Sequence, residues 1–220
     1  MKTKQSGFTL VEIAIVLVII GLLLGGVLKG QSLIDNARIK NTINDLKAVQ
    51  SAYYSYIDRY KAVPGDDILA STRLTLNGAA VTNGGGNGVI TGVYSTAGAC
   101  GALLESNNFW QHTRAAGLLT GDSVTNGGCN PGVNAVGGFL GIQSQVSAAG
   151  GLTYGMTGPV ACSGSIPSNL AQSADSQIDD GTATTGSFRA GGAGTNLATT
   201  VGGIAYVAGA TTTHTVCMQI

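Results

Sequence analysis

The stretch from Ile13 to Leu28, IAIVLVIIGLLLGGVL, runs sixteen residues without a charge. Counted from Phe8 it spans about 31 Å as a helix at ~1.5 Å per residue, which matches a bilayer core of about 30 Å. Lys2 and Lys4 precede it, and the positive-inside tendency then leaves the N-terminus in the cytoplasm and the rest of the chain across the membrane. Glu12 is the anomaly, an acid five residues into the apolar stretch.

A secretory signal is cut after its apolar core, at small residues of A-x-A type. Here the core is followed by VLKGQSLIDNARIK, which has no such site and continues as a helical pattern. The alternative cut lies before the core, after Gly7, so that Phe8 begins the mature chain and the apolar segment stays with it. Glu12 then lies one helical turn from a free amine. The dipole at a helix N-terminus favours an acid, but by less than an unpaired charge costs in hydrocarbon. A neighbouring subunit's N-terminal ammonium would supply the missing partner, and Glu12 would set the axial stagger between copies.

QSLIDNARIKNTINDLKAVQSAYYSYIDRYKAVPGDD continues the helix with an apolar stripe at Leu33, Ile34, Ala37, Ile43, Leu46, Val49, Ala52, Tyr53, Tyr56 and Tyr60. Pro64-Gly65 stops it. The first half is apolar all round and needs burial by lipid or by other copies. The second half has one stripe, to pack on the chain's own head. The tyrosines read as head-packing aromatics, not as a stacked relay.

From Ile68 to the end the chain has three basic residues (Arg73, Arg114, Arg189) and five acidic ones (Glu105, Asp122, Asp175, Asp179, Asp180) in 153 residues. Soluble domains are about 25% charged. Such a surface tolerates self-association and offers no basic footprint for nucleic acid. Residues 75–98 read as a Gly/Asn-rich loop with a short hairpin, able to touch a surface. Residues 101–119 read as a helix with Trp110 as a core anchor and His112 exposed. FLGIQSQVSA, GLTYGMTG, SFRAGG, GGIAYVAGA and the terminal VCMQI read as antiparallel strands. The expected fold is α+β: a long helix on an antiparallel-sheet head, a lollipop. Its divisions are a leader over 1–7, a membrane or filament-core helix over 8–30, an amphipathic helix over 31–62 and a head over 63–220.

Cys100, Cys129, Cys162 and Cys217 are widely spaced and form no CxxC pair. Beyond a membrane segment they point to disulfides in an oxidising compartment. Pairing neighbours in the chain, Cys100 with Cys129 and Cys162 with Cys217, is the favoured choice among three connectivities. Asp175, Asp179 and Asp180 are weak calcium candidates, because hard oxygen ligands lie close together without the spacing of an EF-hand loop. Apart from that ion no cofactor is expected. No nucleophile–base set, phosphate loop or metal cluster argues for an enzyme.

KQSG followed by FTLVEIAIVLVIIGLL resembles the N-terminus of type IV pilins and of type II secretion pseudopilins, over about the first 65 residues. The resemblance implies cleavage between Gly7 and Phe8 by a membrane prepilin peptidase, N-methylation of Phe8, and contact between Glu12 and the Phe8 amine of an adjacent subunit. It implies a homopolymer, with minor pilins as further partners, built on an inner-membrane assembly platform. The precursor would sit in the inner membrane with its head in the periplasm, and the assembled filament at the cell surface. A C-terminal disulfide like that of Cys162 and Cys217 tilts the resemblance toward a pilus subunit; the alternatives are a secretion pseudopilin and a minor pilin or adhesin. Where many such proteins have a kinking proline this chain has Lys29. Gly25, Gly26 and Gly30 around it are expected to supply the flexibility.

Overall fold

A computed structural model describes residues 9–101, 103–144, 154–191, 204–207 and 212–220. One helix, α1, runs Leu10–Tyr60. The chain divides into two compact units, Met1–Ala37 and Arg38–Ile220.

In the first unit every described residue up to Lys29 is exposed, as expected of a segment with no apolar partner in its own chain. The helix is unbroken through Gly25, Gly26 and Gly30, and a Cβ at any of the three would meet nothing within 4 Å. No packing within the chain therefore demands glycine at those positions. Leu33 and Ile34, expected to start the head-packing stripe, are also exposed. The buried stripe begins later, at Ile39, and runs through Thr42, Ile43, Leu46, Val49, Ala52, Tyr53 and Tyr56 at spacings of mostly three or four.

In the second unit that stripe meets a five-stranded antiparallel sheet. Its strands are β3 (Gly132–Val133), β4 (Phe139–Ser144), β5 (Pro159–Pro167), β6 (Phe188–Gly191) and β7 (Thr213–Gln219), in the order β3-β4-β5-β7-β6. Alternation along the strands separates two faces. Ile142, Ala161, Ala190, Val216 and Met218 pack with α1 and with α4 (Ser168–Ile178). Val160, Cys162 and Cys217 turn the other way, toward Tyr94, Tyr154 and Met156. Cys162 and Cys217 are register partners on β5 and β7, with Cα atoms 4.1 Å apart, and are disulfide-bonded. Cys100 is bonded to Cys129, Cα atoms 5.4 Å apart.

The segment 75–98 is not a free loop. It opens with a hairpin, β1 (Thr75–Leu76) and β2 (Ala79–Ala80), following a short helix α2 (Ala70–Arg73). The turn is Asn77-Gly78, both at positive φ, the conformation that suits the strand twist of a two-residue hairpin. Val81, Ile90 and Tyr94 are buried. Two buried carboxylates sew the rest down. Asp66 accepts the backbone N–H groups of Gly86 (2.5 Å), Asn87 (3.1 Å) and Gly88 (2.6 Å). Glu105 accepts those of Gly85 (2.7 Å) and Thr91 (2.8 Å) and the Thr91 hydroxyl (2.7 Å). Deleting this segment would thus remove core as well as surface.

The helix expected over 101–119 is α3, Glu105–Ala115. Trp110 is buried as anticipated, with the Arg114 guanidinium 4.9 Å from its ring centroid. Leu103, expected on the apolar face, is 82% exposed, because the helix starts after it. His112 is fully buried, not exposed. The helix is enclosed on nearly all sides, and polar side chains there serve neighbouring loops. Nδ1 of His112 accepts the Gly65 N–H at 2.9 Å and Nε2 donates to the Thr82 carbonyl at 2.6 Å.

The strand expected in GLTYGMTG is absent over its described part. Tyr154, Gly155 and Gly158 have positive φ, which no strand accommodates. Residues 204–207 of GGIAYVAGA form no strand either; they are held to the fold by bonds from Ile204 N–H to the Ala190 carbonyl (2.9 Å) and from Val207 N–H to Ser168 Oγ (2.9 Å). Positions 145–148, 151–153, 192, 202–203 and 208–210 of the expected strands lie outside the described residues. Helix α4 and strand β5 were not anticipated.

Burial holds the His112 imidazole neutral by pushing its pKa below the ordinary 6.5. A base whose folded pKa is depressed takes up its proton more readily when unfolded, so stability is full above the unfolded pKa and falls as pH drops below about 6.5. The melting temperature is therefore expected to fall between pH 7.5 and 5.5. His112→Gln should lose about 1–3 kcal/mol at pH 7.5, since one of its two backbone partners is left unpaired, and should show a flatter melting profile across that range.

Candidate functional site

Of the processing and assembly residues expected from sequence, the structure describes Glu12, in the first turn of α1. Gly7 and Phe8 lie outside the described residues. Thr9 and Glu12 do not, and their arrangement explains how the acid is held. Thr9 N–H and Thr9 hydroxyl each donate to Glu12 Oε2 at 2.8 Å, and Glu12 N–H donates to Thr9 Oγ1 at 3.3 Å. The Thr9 carbonyl accepts the first intrahelical bond, from Ile13 N–H. Thr9-Leu10-Val11-Glu12 is thus a capping box, in which residues three apart satisfy each other's free groups at a helix start.

The pattern T-x-x-E ahead of an apolar run is legible in the sequence, but reading Glu12 solely as half of an intermolecular pair passes over it. The box has a chemical consequence. In a single chain the carboxylate already has local donors, so it needs no second subunit to remain in place. Both bonds from Thr9 go to one oxygen, Oε2; Oε1 takes no bond among the described residues. Helix geometry presents both at one end of a surface that is wholly apolar for the next turns, with Leu10 85% and Leu22 73% exposed. α1 is long and apolar enough to cross a membrane.

The calcium candidates come together, as three carboxylate oxygens from Asp175, Asp179 and Asp180 within 4.8 Å of one another. All of their oxygens except Asp179 Oδ1 also accept hydrogen bonds from the surrounding loop. Asp175 accepts Gly181 N–H (3.1 Å) and the Tyr206 hydroxyl (2.6 Å). Asp179 accepts the N–H groups of Ser187 and Phe188. Asp180 accepts Thr182 N–H (2.8 Å) and the Thr185 hydroxyl (2.5 Å). Calcium takes six to eight oxygens, and gathering them here would strip acceptors from a loop that uses them to close the end of α4.

Residues 2–28 match the family model of the prokaryotic N-terminal methylation motif. That motif is the signature of type IV pilin and pseudopilin prepilins. No curated protein and no solved structure matches the chain. The matched segment covers the lysines, Gly7, Phe8, Thr9, Glu12 and the apolar helix, and stops before the head.

Two outcomes are expected. Thr9→Val removes the hydroxyl that joins both halves of the box, so amide exchange at Leu10–Ile13 in detergent micelles should quicken roughly threefold or more, while Thr9→Ser leaves it unchanged. Melting followed through a calcium titration to millimolar concentration should show no shift, because the acids of the 175–180 cluster already hold their loop.

Proposed function

We propose that this chain, which carries the prepilin methylation signature, is a structural subunit that polymerises through α1 into a type IV pilus-like filament after cleavage at Gly7 and methylation of Phe8. The observation that carries this reading is the first unit of the structure. From Thr9 to Lys29 no described residue finds cover in its own chain, and the one acid there sits at its very start. Lipid covers such a surface before assembly, and other copies cover it afterwards.

Glu12 and the mature N-terminus would form the register contact. The capping box holds the carboxylate at the helix end through Oε2, and the amine of an adjacent Phe8 would take the other oxygen. An ion pair in a low-dielectric core is costly to break, because removing one partner strands the other charge. The pair would therefore fix the axial position of each subunit against the next. The partners are other copies of the chain, a prepilin peptidase and an inner-membrane assembly platform; minor pilins would be further subunits. The precursor is placed in the inner membrane with its head in the periplasm, and both disulfides suit that oxidising side.

A secretion pseudopilin is the second reading, since the methylation signature serves both kinds of filament. The two disulfides favour a surface filament, which meets proteases and shear. A loop of 55 residues closed by Cys162–Cys217 would contribute about 4 kcal/mol in the chain-entropy picture.

The test is the intact mass, with N-terminal fragments, of native protein from sheared surface filaments, taken without reducing agent. The expected chain begins at methylated Phe8 and is lighter by the hydrogens of two disulfides. A chain beginning at Met1 with free thiols would overturn the proposal. A processed chain confined to the envelope fraction would transfer it to the pseudopilin reading.

A further inference from the structure

We propose that each subunit makes a second electrostatic register contact, in which Lys40 of one copy enters a groove beside Asp45 of the next. The inference rests on the filament reading above and adds to it a site in the second unit.

The groove has a volume of about 400 Å³ and lies between Asp45 and Ala48 of α1, the ring of Trp110, and the segments around Leu119–Asp122 and Asn130–Val133. Its rim includes Val133, 67% exposed. Asp45 is half-buried in it, and among the described residues nothing donates to its carboxylate or pairs with it. Burial alone pushes its pKa up, so the charge is held at a cost that an incoming cation would relieve. Across the groove Asp122 stays ionised, its pKa brought down to about 2 by the Thr125 hydroxyl and by the N–H groups of Thr125 and Val124. The one cation lining it, Arg114, is turned to the backbone, donating to the carbonyls of Gly128 (2.7 Å) and Asn130 (2.8 Å). Arg114 also acts on Asp122 and not on Asp45, so the groove is acidic on the Asp45 side, with an apolar floor that suits the methylenes of a lysine.

The occupant follows from arithmetic on α1. Copies in a filament are related by one axial rise, which applies to every residue. Bringing Phe8 of one copy level with Glu12 of another shifts the chains by four residues, about 6 Å. The same shift brings Lys40 level with position 44, about 1.5 Å from Asp45. Lys47 would stand about 9 Å beyond it and Lys29 about 18 Å short of it. Lys40 is exposed and has no partner of its own among the described residues. Five residues also separate Lys40 and Asp45 by about 140° around the helix. That spacing turns them to nearly opposite sides, as an open head-to-tail contact requires when each copy gives its acid to one neighbour and its cation to another.

Charge reversal in native filaments tests this. Lys40→Asp and Asp45→Lys singly should lower sheared-filament yield roughly tenfold or more, since like charges then face each other, and the double variant K40D/D45K should recover most of it. Intact disulfides and unchanged protease resistance of the membrane-held subunit show that each variant folds. In otherwise unaltered filaments, the pair K40C/D45C should give a ladder of cross-linked oligomers on mild oxidation, whereas K47C/D45C should not. A folded double variant that fails to recover, or a ladder with Lys47→Cys and none with Lys40→Cys, overturns the contact while leaving the filament standing. Processed wild-type subunits that never form filaments overturn both.

Discussion

A helix that is apolar on every side cannot remain in water, and everything else in this protein accommodates that constraint. Burial of a side chain such as leucine contributes about 1.5–3 kcal/mol, and the stretch from Leu10 to Leu28 is almost entirely made of such side chains. Without a cover the segment would drive aggregation without register. On the proposed reading Glu12 would prevent this by being costly when misplaced. An ionised acid tolerates only the axial positions at which donors meet it, and the capping box with Thr9 supplies them while a subunit is alone. In the proposed filament, hydrophobicity would thus provide the drive toward association and one carboxylate its position.

The head solves a different problem with the same economy. It has few charges, yet hardly any of them is decoration. Asp66 and Glu105 gather the backbone N–H groups of a glycine-rich segment. Arg114 and Arg189 do the reverse, donating to carbonyls of Gly128, Asn130, Gly186 and Tyr154. Arg73 joins Asp67 and the Tyr60 carbonyl where α1 ends. Glycine-rich backbone has many polar groups and little side chain to bury, so charged side chains become its staples. The surface left behind is neutral and weakly repulsive, and so tolerates close approach of other molecules.

That division explains which parts of the fold were legible in the sequence. α1 was, because fifty residues of pattern outvote any local ambiguity, and so were the Asn77-Gly78 hairpin and the β4, β6 and β7 strands, which carry alternating apolar residues between turn signals. The buried stripe beginning at Ile39 rather than Leu33 was not, since apolar periodicity does not distinguish a face that meets a head from one that meets a partner. His112 was misjudged for a related reason. A polar helix reads as exposed unless the loops around it are known, and Gly65 and Thr82, which claim its two nitrogens, are 47 and 30 residues away. β5 was hidden by its composition, PVACSGSIP, whose small residues look like loop until Cys162 meets Cys217 across the strand pair. At the candidate site Glu12 was legible as an anomaly, but its tie to Thr9 needed geometry.

The charges on α1 can be read in the same terms as those of the head. Within the head almost every charge is consumed by backbone, and the rare one that is not therefore has significance. Asp45, on α1 and not in the head, is not so consumed. It lies on the half of α1 that packs on the sheet, in a position where an apolar residue would cost less, and among the described residues no donor reaches it. Glu12 poses the same question sixteen residues before the apolar run ends. In both cases an acid is kept where burial penalises it, and in both a cation lies four or five residues earlier in the sequence, at the Phe8 amine and at Lys40. Two acids with cations at nearly one offset are what a single axial repeat would select, because one stagger then satisfies both ends of the helix and any other stagger strands two charges.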